Sequence, residues 1–167
     1  MPWTTPKTDF SPGNVLTAAQ MNAIGENLNA IGGAWTSYTP TWIGLTVGNA
    51  TQDSRYIKAG RLVVMQMKLT FGSTTSVTGT PEFTVPVALD GSYTAFSPVG
   101  NAHYLDSSAD NGFFSNLVPN VGLTGVRCFV TLTSGTHAQA QNVSSIVPFT
   151  WAVSDVMQGL LVYEAAS

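Results

Sequence analysis

The chain has 167 residues, with six Lys and Arg against nine Asp and Glu and a formal net charge of −3. Only 9% of its residues are charged, whereas an ordinary soluble domain has about 25%. With 44% hydrophobic residues, this composition argues against a disordered chain, which is poor in apolar residues and highly charged. It also argues against nucleic-acid binding, because no basic surface is available for phosphates.

Targeting and redox signals are sparse. No run approaches the roughly 20 consecutive apolar residues that cross a bilayer, and the N-terminus lacks the regions of a signal peptide. Cys128 is the single cysteine, so no disulfide forms within the chain. We expect a protein that is made in a cytoplasm, is not exported by that route and does not insert into membranes. Abundant Thr, Ser, Asn and Gly favour β-structure of the kind that is assembled into larger particles.

The first predicted element is an extended segment over residues 1–16. Three prolines in this segment fix φ and keep the residues before them out of the helical region. Trp3, Pro6 and Phe10 are therefore candidate anchor residues that lie on a partner surface. The alternative is that the segment is a strap over the chain's own domain, and the sequence leaves both open.

The second element is a helix over residues 17–33. Thr17 followed by Gln20 fits a capping box, in which each side chain accepts from the other residue's backbone N–H. Two glycines at positions 32 and 33 predict its end. Apolar residues recur at spacings of three, four and three, at Met21, Ile24, Leu28 and Ile31.

This apolar stripe is narrow. A helix packed on a sheet has about three apolar positions in seven, whereas two in seven is the seam of a coiled coil. A helix of about 15 residues with Asn and Gly between its apolar positions is marginal alone in water. We expect Met21, Ile24, Leu28 and Ile31 to form the seam of a short parallel bundle of identical chains. The alternative is a helix packed on its own β-domain.

Residues 34–167 are predicted to form an antiparallel β-domain. Apolar and polar residues alternate between 61 and 71 and again between 126 and 132, which is typical of half-buried strands. Turn signals every 8–12 residues or so indicate a sandwich or a closed sheet, and we expect a jelly-roll-like β-sandwich head. The other strand candidates are Ser37–Ile43, Ser54–Lys58, Glu82–Val87, Tyr93–Val99, Ala102–Leu105, Phe113–Val118 and Gly159–Glu164.

Residues with catalytic or metal-binding chemistry are few. The chain has two histidines, no nucleophile elbow and no recognisable carboxylate pair of the kind that glycoside hydrolysis requires. Residues 106–112 resemble a calcium loop in their oxygen side chains, but the twelfth position is Leu117 instead of Glu, and a tight turn explains them equally. No catalytic residue, metal site or cofactor is predicted, and we expect a protein that is not an enzyme.

One stretch is a candidate for sugar binding. Exposed aromatic rings beside Asn and Asp hold sugars, because C–H faces stack on the rings while polar groups contact the hydroxyls, and loops at one end of a rigid β-scaffold often carry binding. The alternative is that these rings fill the core. The candidate glycan-binding residues are Tyr104, Asp106, Asp110, Phe113 and Phe114.

Several motifs carry a family resemblance. A V-L-T-A-A-x-M-N helix start at residues 15–22 follows a short leader with Trp and Pro, and a Y-T-P-T-W strand follows at 38–42. Residues 54–60 match a G-x-Y-x-K-x-G element with Ser54 in place of its first Gly, and the end of the chain, 148–165, is also similar. Together these motifs resemble the small trimeric tail-fibre, minor tail and head-fibre (decoration) proteins of tailed bacteriophages, especially those of actinobacteria.

The resemblance implies a homotrimeric virion protein with an N-terminal attachment segment, a short three-helix bundle and a β-sandwich head. Its partners would be other virion proteins of the capsid or tail, and the aromatic residues described above add host-surface glycan as a candidate partner. Residues 88–125 match nothing in that group, so no receptor specificity is implied. The alternative function is a carbohydrate-binding or depolymerising module acting on host polysaccharide.

Overall fold

A computed structural model describes residue 13 and residues 15–33, 35–134 and 136–166, so the candidate anchor residues Trp3, Pro6 and Phe10 lie outside the described residues. Within these ranges the chain forms one helix followed by eleven strands. They are α1 (Ala18–Gly32), β1 (Thr36–Ser37), β2 (Trp42–Thr46), β3 (Thr51–Gln52), β4 (Arg55–Ala59), β5 (Leu62–Thr70), β6 (Ser76–Thr84), β7 (Gly100–Asp106), β8 (Asn111–Pro119), β9 (Gly125–Ser134), β10 (His137–Asn142) and β11 (Val156–Glu164).

The predicted start of α1 is confirmed. The Gln20 backbone N–H donates to Thr17 Oγ1 at 3.3 Å, and the Thr17 N–H donates to Gln20 Oε1 at 2.9 Å. This reciprocal pair satisfies two N–H groups that have no partner inside the helix. The helix ends at Gly32 as predicted, with Gly33 extended (φ −69°) instead of left-handed.

The strands form a single antiparallel sheet, which confirms the predicted mainly β, antiparallel class. Its order is β1-β4-β5-β11-β7-β8-β9-β6-β2, with β3 also paired to β5 and β10 to β9. The predicted strand Ser37–Ile43 is wrong, because its two ends belong to β1 and β2 at opposite edges of the sheet. Pro40, which lacks a backbone N–H, lies in the break between them.

The position of these two short strands requires the sheet to curl. Ser37 and Trp42 are five residues apart and can be separated by at most about 18 Å, yet they pair with β4 and β6 respectively. Side chains join the two edges: Tyr38 Oη and Thr84 Oγ1 lie 2.7 Å apart, and Trp42 Nε1 donates to Gln52 Oε1 at 2.8 Å. The curled sheet therefore encloses a core on its inner face.

A glycine sets the bend of β2. The pairing of β2 with β6 shifts register between Ile43 and Leu45, and Gly44 between them has φ +70°. A Cβ at this position would overlap the Thr80 carbonyl of β6. Only glycine accommodates both the left-handed backbone and this close approach, so Gly44 forms a β-bulge that turns the strand.

The core follows the predicted alternation. On β5 the side chains of Val63 and Met65 are fully buried, whereas Gln66 and Lys68 face solvent. The fully buried residues come from both halves of the curled sheet, and they pack in one cluster. The largest of them are Tyr104, Tyr163, Phe83, Met65, Met67, Leu69, Leu89, Leu117, Met157 and Leu161.

Asp155 is a buried carboxylate that joins two loops. Its Oδ1 accepts from the Ser107 N–H at 2.9 Å and from the Ser107 hydroxyl at 3.0 Å. Its Oδ2 accepts from the Ala152 N–H at 2.6 Å. Since Asp155 is completely buried, these donors replace the water that the carboxylate loses on folding.

Cys128 is predicted to be unreactive in the folded protein. It lies on β9 with no exposed surface, and burial raises the pKa of its thiol from 9.0 to about 12. A thiol reagent such as DTNB is therefore expected to label it at pH 8 only after denaturant is added, because the thiolate is the nucleophile. Labelling of the native protein at the rate of a free thiol would contradict this.

The same shift gives a pH dependence. The unfolded thiol ionises near pH 9 and the folded thiol near pH 12, so the unfolded state binds fewer protons between these values. The contribution of Cys128 to stability is therefore complete below pH 9 and falls as the pH rises above it.

Within the described ranges, no helix is both long and apolar enough to cross a membrane.

Candidate functional site

The predicted glycan-binding residues do not form one surface. Tyr104 is fully buried, its hydroxyl donates to the Phe129 carbonyl at 2.9 Å, and burial raises its pKa well above the usual value. Tyr104 therefore cannot contact a sugar, and its assignment is wrong. Phe113 is half-buried against Phe149, with ring centroids 5.4 Å apart, whereas Phe114 points the other way and is 75% exposed.

Asp106 and Asp110 belong to the turn between β7 and β8. Asp106 Oδ1 accepts from the Ser108 hydroxyl at 2.7 Å and from the backbone N–H groups of Ser108 and Ala109. The hydroxyl bond is the main cause that lowers the pKa of Asp106. The carboxylate thus closes its own turn, and no group of three metal-ligating side chains occurs within the described part of the chain.

Two of the predicted seam residues are largely exposed on the single chain. Met21 is 51% and Leu28 63% exposed, and Ile24 is half-buried. The side chain of Ile31 lies outside what the structure describes. Among the described side chains of α1, that of Asn27 is the buried one. The covered position of the helix therefore lies outside the predicted seam, and two of the seam residues stay exposed.

A second surface feature is an open groove on the outer face of the sheet, with a volume of about 620 Å³. It crosses β4, β5, β11, β7 and β8, because strand register places outward side chains in rows across these strands. One row runs through Lys68, Gln158, His103 and Phe114. The adjacent row runs through Arg55, Gln66, Leu160 and Asn101. We call this surface the outer-face groove.

His103 is held in a defined position in the outer-face groove. Its Nδ1 lies 3.2 Å from the Gln158 side-chain amide, and its ring lies 5.0 Å from the Phe114 ring at an interplanar angle of 42°. Gly112 provides the space beside it, because a Cβ there would overlap His103 Nε2. The exposed Phe114 ring therefore has a fixed ring beside it, and together they form a small aromatic platform.

The charges of the groove differ from those of the chain as a whole. It contains two of the six Lys and Arg residues and one of the nine acids, Asp53. Arg55 Nε donates to Gln66 Oε1 at 3.0 Å, and its guanidinium lies 5.0 Å from the centre of the Trp35 ring. No carboxylate of the described residues is within 4.0 Å of the Arg55 or Lys68 side-chain nitrogens.

The other arginines of the described chain have acidic partners. Arg127 Nη2 is 2.7 Å from Glu82 Oε1, and Arg61 contacts Asp90 and Glu164. Among the described residues, Arg55 and Lys68 in the outer-face groove thus have no neighbouring carboxylate that neutralises their charge, and Lys58, outside the groove, has none either.

Sequence reasoning found one residue of this groove, Phe114, and missed its neighbours. Alternation indicates that Gln66 and Lys68 face away from the core, but it gives no information about which strand lies beside β5. The partner is β11, some 90 residues later, so the groove depends on long-range register that local patterns do not carry.

Comparisons of the chain with protein-family models, with curated proteins and with solved structures found no match.

Proposed function

We propose that this chain is a non-enzymatic structural protein of a phage virion surface, a homotrimer that the N-terminal segment attaches to the capsid or tail. The observation that carries the proposal is the exposure of the seam on α1. Met21 and Leu28 lie one heptad apart and are both more than half exposed, although their spacing is that of a coiled-coil core. Packing of three copies would remove these side chains from water.

The weakness of α1 supports the same arrangement. The helix has 15 residues, without acidic residues in its first turn or basic residues in its last, so charge at its ends adds no stability. Helices of this length are marginal in isolation. A bundle with other copies supplies the packing that the single chain lacks.

The head is proposed to be a jelly-roll-like β-sandwich. Tyr104 on β7 donates to Phe129 on β9 past the intervening β8, and Tyr163 on β11 donates to Val87, in the segment after β6, at 2.8 Å. These contacts and the single buried cluster support two facing halves of the curled sheet. A low-charge β-domain of this kind fits an exposed knob on an assembled particle.

Attachment can be tested by deleting residues 1–16. We expect the truncated chain to fold and to keep the mass of a trimer, because α1 and all eleven strands lie after the deletion. We expect it to be absent from purified particles when it replaces the full chain during infection, as judged by immunoblotting. Incorporation of the truncated chain at the full-length level would refute the anchor, and labelled antibody would locate the full chain on capsid or tail.

The alternative function is a carbohydrate-binding or depolymerising module. The outer-face groove favours binding over cleavage, because its lining includes one carboxylate, Asp53, whereas glycoside hydrolysis uses a pair on either side of the bond. Release of oligosaccharides from host polysaccharide by the purified chain would overturn the non-enzymatic proposal.

A further inference from the structure

We propose that the outer-face groove binds an acidic saccharide chain, one that carries carboxylate or phosphate groups. This inference extends the proposed function, since a head displayed on a virion would present the groove to a cell surface. The site differs from the loop suggested by the sequence and shares only Phe114 with it.

The first argument is the aromatic platform. Phe114 lies on a β-strand with the His103 ring beside it, yet it is 75% exposed, so most of its ring is in contact with water. The neighbouring His103 ring is fixed by Gln158 and by the space at Gly112. A rigid ring with an open face can stack on the C–H face of a sugar with little loss of side-chain entropy.

The second argument is the set of polar side chains around this platform. Gln158, Asn101 and Gln66 line the groove with amide groups, which both donate and accept. Asn101 is exposed, and no protein hydrogen bond occupies its side chain in the described structure. Amides beside a ring match the alternating hydroxyls and C–H faces of a saccharide.

The third argument is charge. The chain has a net charge of −3, but the groove contains Arg55 and Lys68 against Asp53 alone. Lys68 has no carboxylate partner among the described residues. Its ammonium group is therefore available to an anionic substituent, on a chain whose net charge would otherwise repel an acidic ligand.

The fourth argument is shape. The groove is open and spans five adjacent strands, which at about 4.8 Å per strand gives a length of about 19 Å from β4 to β8. A surface of this length fits a linear chain of several sugar units better than an enclosed small molecule, whose sites bury most of the ligand.

The experiment is binding of the fluorescently labelled full chain to an array of immobilised bacterial oligosaccharides, which includes neutral, uronic-acid-containing and phosphate-containing members. We expect binding to acidic members, stronger than to neutral members of the same backbone and weakened by added NaCl. The two acidic arms identify which anion is recognised.

Two variants test the residues. Phe114→Ala is expected to lower the affinity about fivefold, the equivalent of about 1 kcal/mol. Lys68→Gln is expected to reduce the preference for acidic over neutral members, which a purely structural change would leave unaltered. The matched controls are Phe96→Ala, which removes a ring that is 78% exposed in a loop outside the groove, and Lys58→Gln, which removes an exposed cation outside it.

Three outcomes would overturn the inference: no oligosaccharide is bound, neutral and acidic members bind equally, or the controls weaken binding as much as the groove variants. A changed mass of Phe114→Ala by light scattering would also overturn it, because the groove would then lie between copies of the chain. If no oligosaccharide binds, but the chain is a trimer and is present on particles, only the proposed saccharide ligand is refuted. If the chain binds acidic oligosaccharides but is absent from particles, only the proposed virion function is refuted.

Discussion

Replacing Met21 and Leu28 together by Asp is expected to convert the protein from trimer to monomer. Each trimer would then contain six carboxylates in one seam, and each buried unpaired charge costs several kcal/mol. The single chain itself should tolerate the change, because both side chains are more than half exposed in it. Multi-angle light scattering measures the mass, and far-ultraviolet circular dichroism reports whether the β-domain is retained.

The matched control adds the same charge to the same helix at positions that the seam excludes. Asn22 and Asn29 are both exposed on α1, and Asn22→Asp with Asn29→Asp is expected to leave the mass unchanged. If the seam variant stays trimeric, or if the control dissociates equally, the copies are not held together by this stripe. A wild-type chain that is monomeric at all concentrations would also refute the trimer.

Asp155→Ala is expected to lower the free energy of unfolding by about 3–5 kcal/mol. The substitution removes the buried acceptor of the Ser107 and Ala152 N–H groups, and loss of a hydrogen bond to a buried charged group costs about 1.5–3 kcal/mol. The two loops that Asp155 joins would separate. Urea titration at fixed protein concentration measures the effect, with a melting temperature lower by about 10 °C.

Asp106→Ala is the matched control for this variant. Asp106 also accepts from two backbone N–H groups, but it lies in a surface turn where water can replace the carboxylate. We expect a loss below about 1 kcal/mol. Equal destabilisation by the two substitutions would show that burial of the acceptor is not the cause, and a stable Asp155→Ala protein would contradict the proposed role of this residue.

Elements with local signals were predicted well. The capping box at Thr17 and Gln20 requires residues three positions apart, and the structure contains it. The alternation on β5 and β9 also appears as predicted, because the two-residue period of a strand puts every second side chain on the core. The segment Tyr93–Val99 was wrongly predicted as a strand, since turns built on Asp90, Thr94 and Ser97 occupy it.

Features without a distinctive local pattern were missed. The strand β10 was not predicted, because five of its six residues are exposed and it has no large apolar residue that would mark a buried face. It forms because the chain turns back onto β9. The roles of Tyr104 and Phe114 could not be separated either, since both are aromatic residues near a turn, and only the inner or outer face of the sheet distinguishes them.

The amino-acid sequence by itself determined the class of the fold, the start and end of α1, the narrow apolar stripe and the faces of the main strands. These properties depend on residues within one or two turns or a few strand positions of each other. Only the tertiary structure decided which strands are neighbours, that Tyr104 is buried while Phe114 is exposed, and that Lys68, Gln158 and His103 share a groove. The physical reason is that strand register is set by hydrogen bonds between segments far apart in the chain, and the order of β5, β11 and β7 follows from closing the core as a whole.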